Sequence, residues 1–225
     1  TTSHNKLIIA DDTVLLGSHN LSTNALQYNN EASIQVAIPA VTAWYEALFQ
    51  AMWEDSDTDP DLGTPETAPI LPLKNREIAP RLEACITGAS ERIRLILYAM
   101  TYRDDYPDSD ANRLVEGLIA AHARGVDVAI VLDQSDWMVD NEINDRAIEL
   151  LLAGGVPLRH PPSDVVTHAK LLFCDDTVIV SDANWAYSAF SLYNGTSIEV
   201  TGESVRLQYD AWFDQVWADA TAPGE

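Results

Sequence analysis

Lysine is almost missing from this 225-residue chain. Lys6, Lys74 and Lys170 are its only lysines, and 13 bases in all face 35 acids, a formal net charge of −22 at neutral pH. Such a balance argues against tight, electrostatically steered binding of nucleic acid at low salt. Cysteine is scarce as well. Cys85 and Cys174 are too few to form a disulfide framework or a zinc site by themselves. Cys174 closes the apolar run Leu171-Leu172-Phe173-Cys174 and is expected as a buried free thiol. No run of about 18 apolar residues occurs, so no integral membrane segment is expected. The start, Thr1-Thr2-Ser3-His4, lacks the basic and apolar regions of a signal peptide. The expectation is a soluble chain of unassigned compartment, secretion through a signal upstream of this start remaining compatible. There is no glycine-rich phosphate loop, no His-Glu-x-x-His and no Cys/His cluster, so neither a metal nor another cofactor is expected.

What is present argues for an ordered protein. Apolar residues make up 47% of the chain and six are tryptophan, which does not fit a disordered acidic polymer. The acids are spread along the whole length, a pattern resembling proteins of salt-loving organisms. At about 1 M salt the screening length falls to roughly 3 Å, so the negative charge does not exclude a phosphate ester as substrate.

The chain repeats itself. His4-Asn5-Lys6-Leu7-Ile8-Ile9-Ala10-Asp11-Asp12-Thr13-Val14 returns as His168-Ala169-Lys170-Leu171-Leu172-Phe173-Cys174-Asp175-Asp176-Thr177-Val178, at an offset of 164 that holds for some fifty residues. Asn20 matches Asn184, Ser33 matches Ser197, Tyr45 matches Tyr209, Phe49 matches Phe213 and Trp53 matches Trp217. Chance does not keep one register that long, so the unit is duplicated.

Each copy predicts two short strands about an Asp-Asp-Thr turn, a third strand, and a helix whose aromatics recur at core spacing. For the first copy these are 6–10, 14–16, 33–37 and 41–53; the second ends in a helix at 203–218. The acid- and proline-bearing stretch after Trp53 (Pro60, Pro65, Pro69, Pro72) has no periodicity and reads as a linker. Helices at 78–87, 112–123 and 141–153 then alternate with strands at 92–99, 126–132 and 156–159. This alternation predicts an α/β fold with mixed, largely parallel sheets flanked by helices. The expected division is 1–55 as the C-terminal part of a first lobe, 56–74 as linker and 75–221 as a second lobe. Only three residues precede His4, so the first lobe is expected to be incomplete, its front supplied by a missing N-terminal segment or a second chain.

The doubled His-x-Lys-x4-Asp pattern resembles the signature of the phospholipase D superfamily. Gly17-Ser18-His19-Asn20 is similar to that family's Gly-Ser-x-Asn, and Glu31 sits where the family often has a histidine-orienting carboxylate. The resemblance spans most of the chain and implies two pseudo-symmetric lobes, no metal, and a phosphodiester substrate, phospholipid or nucleic acid. It also implies double displacement through a phosphohistidine, with hydrolysis or transfer to an alcohol. In a strand, residues two apart share a face, so His4 with Lys6 and His168 with Lys170 can form one pocket holding a nucleophile, an acid and two cations. Asn20, Asn184 and Ser18 are candidate phosphate ligands.

Glu31 is expected to hold the His4 ring, which makes His4 the nucleophile and His168 the general acid; its repeat counterpart is Gly195. Ser181-Asp182-Ala183-Asn184 departs from the family pattern and puts an acid where a phosphate-facing hydroxyl is usual. Asp11 and Asp175 are expected to be structural, and His122 and His160 to be ordinary core or surface histidines. His19 and Trp185 are candidates for the pocket wall. Tyr98 and Asp133 are at strand ends where α/β sheets place ligand-facing groups. A phosphodiesterase is the leading reading; a nuclease of the same superfamily and a weakened phosphate-ligand-binding domain are the alternatives.

Overall fold

A computed structural model of the chain describes residues 2–65, 67, 69–138, 140 and 142–224. The first repeat comprises β1 (Thr2–Ser3), β2 (Leu7–Ala10), β3 (Thr13–Gly17), α1 (Thr23–Gln27), β4 (Ser33–Val36) and α2 (Pro39–Glu54). Between the repeats run β5 (Ile70–Lys74), α3 (Ile78–Gly88), β6 (Arg92–Leu97), α4 (Asp110–Ala123), β7 (Asp127–Leu132), α5 (Asp145–Ala153) and β8 (Leu158–Arg159). The second repeat adds β9 (Lys170–Cys174), β10 (Thr177–Ser181), α6 (Tyr187–Ser191), β11 (Tyr193–Asn194), β12 (Thr196–Thr201) and α7 (Glu203–Asp219).

A seven-stranded sheet runs β5-β12-β10-β9-β6-β7-β8, and a three-stranded sheet runs β2-β3-β4. Alternation along each strand divides the interior. Ile93, Leu95, Leu97, Leu172 and Ile179 face a core shared with α3, α4 and α5. Ile96, Leu171, Phe173, Val178 and Val180 face a second core with the small sheet, α2 and α7. The large sheet is mixed, but not largely parallel as expected: β6–β7 and β7–β8 are parallel, while the other four pairings are antiparallel. Helical crossovers govern only the middle segment. The Asp-Asp turn, with Asp175 at φ 51°, folds β10 straight back on β9.

Two further expectations change. Part of the presumed linker is strand: β5 pairs with β12, Pro72 opposite Ile198, which an edge strand tolerates because it leaves one row of backbone donors unpaired. Residues 66 and 68 of that stretch lie outside the described set, as does residue 141, where the helix at 141–153 was expected to start; α5 begins at Asp145. And Cys174 is no free thiol. It forms a disulfide with Cys85, tying β9 to α3 across a Cα separation of 5.8 Å, because the two alternate on facing layers of one core.

The duplication is visible bond by bond. Val14 pairs with Val36 as Val178 pairs with Val200, and Asp11 takes the same left-handed turn as Asp175. The Tyr45 hydroxyl donates to the Ser197 carbonyl (2.6 Å) and the Tyr209 hydroxyl to the Ser33 carbonyl (2.8 Å). Each repeat thus reaches into the other, which brings the two motifs together.

Candidate active site

Reciprocal backbone bonds place the two histidines. The His4 N–H donates to the Asn194 carbonyl (2.8 Å), and the His168 N–H donates to the Asn30 carbonyl (2.9 Å). These pairs are related by the repeat offset. Parallel pairing of β1 with β11 and an isolated bridge between Asn30 and Thr167 extend each contact. Both lysines fold back alike: Lys6 Nζ donates to the His4 carbonyl (2.8 Å) and Lys170 Nζ to the His168 carbonyl (2.7 Å).

Lys6 Nζ also lies 3.3–3.4 Å from both ring nitrogens of His4. Burial first, then the charges of Lys6, Lys170 and His168, lower the His4 pKa to about 4. Burial also lowers His168, against the pull of Glu31, and pushes Lys170 well below the usual lysine range. Since Lys170 and His168 act on His4 while Lys6 acts on His168, the four groups share one electrostatic environment.

Glu31 does not support His4. Its carboxylate faces His168 Nδ1 at 3.1 and 3.2 Å. The reason is topological: Asn30 is zipped to Val166 and His168, so the next residue along projects at the other repeat's histidine. Burial would raise the Glu31 pKa, but the His168 and Ser18 hydrogen bonds and Lys170 outweigh it and leave it lowered. Ser18 is not turned toward a phosphate. It is fully buried, donates its hydroxyl to Glu31 and accepts from the Ala32 N–H at 2.9 Å.

The asparagines follow their motifs. Asn20 is exposed, and the carbonyls of Asn20 and Asn184 accept equivalent turn bonds from Ser22 and Ala186. Among the described residues Asn184 Oδ1 is buried without a hydrogen-bond partner. His19 Nδ1 contacts Ser33 Oγ at 2.5 Å. Trp185, a candidate for the pocket wall, is instead a buried member of the α3–α4 core. Asp175 lies at the far end of β9 from His168, where its carboxylate accepts the N–H groups of Ser90, Glu91 and Arg92. His160 Nδ1 contacts the Leu132 carbonyl, and His122 lies beside Gly155; neither is in the pocket.

Of the strand-end residues, Tyr98 packs edge-on against His168, ring centroids 4.8 Å apart, with Lys170 Nζ 5.2 Å from its ring centre. Asp133 is one step back: it accepts the Thr167 N–H at 2.6 Å and so fixes the residue before His168. Sequence reasoning missed Tyr193, stacked on His4 at 6.1 Å. It also missed Asn144, fully buried, whose amide donates to the Tyr98 and Asp133 carbonyls. An asparagine buried between strand ends leaves no periodic signal. Among the described residues no group of three or more His, Cys, Asp or Glu could hold a metal.

Residues 1–53 and 82–217 match the family described as cardiolipin synthase, PLD-like domain. The chain belongs to this phospholipase D-like family. A mitochondrial cardiolipin hydrolase of Xenopus laevis is 26% identical over 141 residues, 62% of this chain and 60% of the relative. That of Xenopus tropicalis is 29% identical over 108 residues, 47% and 49% of the two chains. The chain therefore spans less than two thirds of the length of these relatives. Among solved structures, phosphatidylserine synthase of Haemophilus influenzae superposes with a TM-score of 0.74 at 11% identity, over 97% of this chain and 63% of that one. Nuc of Salmonella typhimurium, a phospholipase D family member, gives 0.57 at 18% identity over 68% and 97%. At these identities the likeness is one of fold.

Proposed function

We propose that this phospholipase D-like chain is a phosphodiesterase that works through a phosphohistidine. What supports this reading is the mutual electrostatic reach of the two His-Lys pairs, with a carboxylate on only one histidine. An attacking imidazole must be unprotonated, and His4, with its pKa near 4, is neutral through the physiological range. An acid must carry a proton; burial lowers the His168 pKa, and Glu31 at 3.1 Å opposes that loss by favouring the protonated form. The structure overturns the ground on which the sequence assigned these roles, since Glu31 faces His168 and not His4; the same division of labour is proposed here on the pKa of His4 instead.

A His4 ring nitrogen bonds to phosphorus, and the P–O bond to the leaving alcohol breaks as His168 gives that oxygen its proton. Water, or a second alcohol, then attacks phosphorus and returns a proton to His168, and the N–P bond breaks. Lys6 and Lys170 balance charge on the non-bridging oxygens, and Asn20 and Asn184 are the candidate hydrogen-bond donors to them. The names of the sequence relatives favour a phospholipid phosphodiester, and the net charge of −22 disfavours nucleic acid. A phosphate-ligand binder without turnover is the second reading, favoured by the buried Asp182, an anion acting on Lys6.

The test is hydrolysis of bis-p-nitrophenyl phosphate in about 1 M salt, followed by cardiolipin vesicles and a single-stranded oligonucleotide. His4→Ala and His168→Ala should each lose roughly 10²–10⁴-fold. With labelled substrate, His168→Ala should accumulate a base-stable phosphoryl adduct on His4. Equal turnover in all three proteins ends the enzyme reading, an adduct on His168 reverses the two roles, and preference for the oligonucleotide makes the chain a nuclease.

A further inference from the structure

Position 31 of the first repeat corresponds to Gly195 of the second, and Ser18 corresponds to Asp182. One repeat has a hydroxyl and then a carboxylate; the other has a carboxylate and then no side chain. The structure shows where that displaced acid goes. A Cβ built on Gly195 would lie 2.8 Å from Asp182 Oδ1 and 3.6 Å from its Cγ, so the Asp182 carboxylate fills the space in which a residue-195 side chain would start.

The local bonding is conserved around the exchange. In the first repeat the Ala32 N–H donates to Ser18 Oγ at 2.9 Å, and Ser18 in turn donates to Glu31. In the second the Thr196 N–H donates to Asp182 Oδ2 at 2.9 Å, with the Thr196 hydroxyl at 3.3 Å. Asp182 is fully buried, yet its Oδ1 has no hydrogen-bond partner among the described residues. A buried, half-satisfied carboxylate is costly to the fold: burial raises its pKa to about 7, and above that pH its charge is held against nearby cations.

The charges that meet it are the motif lysines. Lys6 and Lys170 both act on Asp182. Asp182 is the foremost anion acting on Lys6, as Glu31 is on Lys170. The His4 ring lies against the Asp182 main chain. We propose that Asp182 is the displaced counterpart of Glu31, a positioning residue and counter-ion for the His4–Lys6 half of the pocket. The arrangement is reciprocal: the first repeat's carboxylate serves His168 and Lys170, and the second repeat's carboxylate serves Lys6. This inference rests on the phosphodiesterase reading only for its consequence in turnover, not for the pairing itself.

With three lysines in the chain, carbon-13 labelling of lysine gives three side-chain titrations to follow. Asp182→Asn keeps an acceptor for Thr196 but removes the charge. The Lys6 pKa should then fall by roughly one to three pH units, while Lys74, paired with Asp59 and Glu77, stays put. Turnover of bis-p-nitrophenyl phosphate should drop about tenfold or more. Asp182→Ser combined with Gly195→Glu rebuilds the first repeat's arrangement and should return both the titration and the turnover toward wild type. Gly195→Glu alone should be destabilised, because two carboxylates then claim one space.

A Lys6 titration identical in wild type and Asp182→Asn overturns the inference, as does a lowered melting temperature with unchanged Lys6, which marks a purely structural aspartate. A shifted Lys6 in a chain whose wild type and His168→Ala hydrolyse alike leaves the counter-ion standing and removes the phosphodiesterase reading instead.

Discussion

His168 and Glu31 belong to different repeats and lie 137 residues apart, which is why the pairing was not legible from spacing. His4, Lys6, His168 and Lys170 were legible, because two-residue spacing and a constant offset are local properties. Which carboxylate meets which imidazole depends on the crossing of the repeats, and nothing local encodes it. The pairing has a consequence in pH. On the proposed mechanism His4 must be free of its proton and His168 in possession of one, so catalytic efficiency should rise through about pH 4 and fall again, below the ordinary histidine value of 6.5, as the burial-lowered His168 deprotonates. Glu31 raises the proton affinity of His168, so Glu31→Gln should move the alkaline limb to lower pH and leave the acid limb in place. Stability has a definite sign too. In the unfolded chain His4 regains its ordinary pKa near 6.5, so between about pH 4 and 6.5 the unfolded state holds more protons and the fold loses stability as pH falls. An alkaline limb unchanged in Glu31→Gln would show that the carboxylate does not act on the proton-donating group.

At the scale of elements, the strands and helices with strong periodicity stand where the pattern put them, and failures fall where long-range partners decide. Proline and acid content marked residues 54–73 as linker, yet β5 is recruited by the open edge of β12. The same holds for the cysteines. Two residues 89 positions apart carry no framework signal, and only the packing of α3 on β9 brings Cys85 to Cys174. Closing a loop of that size restricts the unfolded chain and is worth typically about 2–4 kcal/mol. Bonds of this kind persist in oxidising surroundings. Denatured, unreduced protein should therefore show no thiol reactive to Ellman's reagent, and Cys85→Ser with Cys174→Ser should melt roughly 5–15 °C lower. Two reactive thiols before reduction, or an unchanged melting temperature, would remove the crosslink from the account of stability.

Across the whole molecule the two repeats differ less in chain path than in what covers them. In the second, the outer face of the sheet is packed under α3 and α4, and Trp185 and Phe190 are 2% and 1% exposed. Their counterparts in the first repeat, Leu21 and Leu26, are 78% and 60% exposed, with Ile8 and Leu15 also open to solvent. These four side chains line one hollow of about 380 Å³ that reaches Lys6 and Asn20. A contiguous apolar patch at such a place is unusual for a bare surface, and the second repeat shows the kind of strand-and-helix layer that closes the equivalent face. An accessible face should bind the dye ANS in the native state. Leu21→Ser with Leu26→Ser should remove most of that fluorescence while changing stability by only about 0.5 kcal/mol, as surface substitutions do. Trp185→Ala or Phe190→Ala, the same positions one repeat later, should cost about 3–5 kcal/mol each. If the leucine pair destabilises the protein as much as the aromatic variants do, or leaves the dye signal untouched, Leu21 and Leu26 are packed in solution and the first repeat is covered after all.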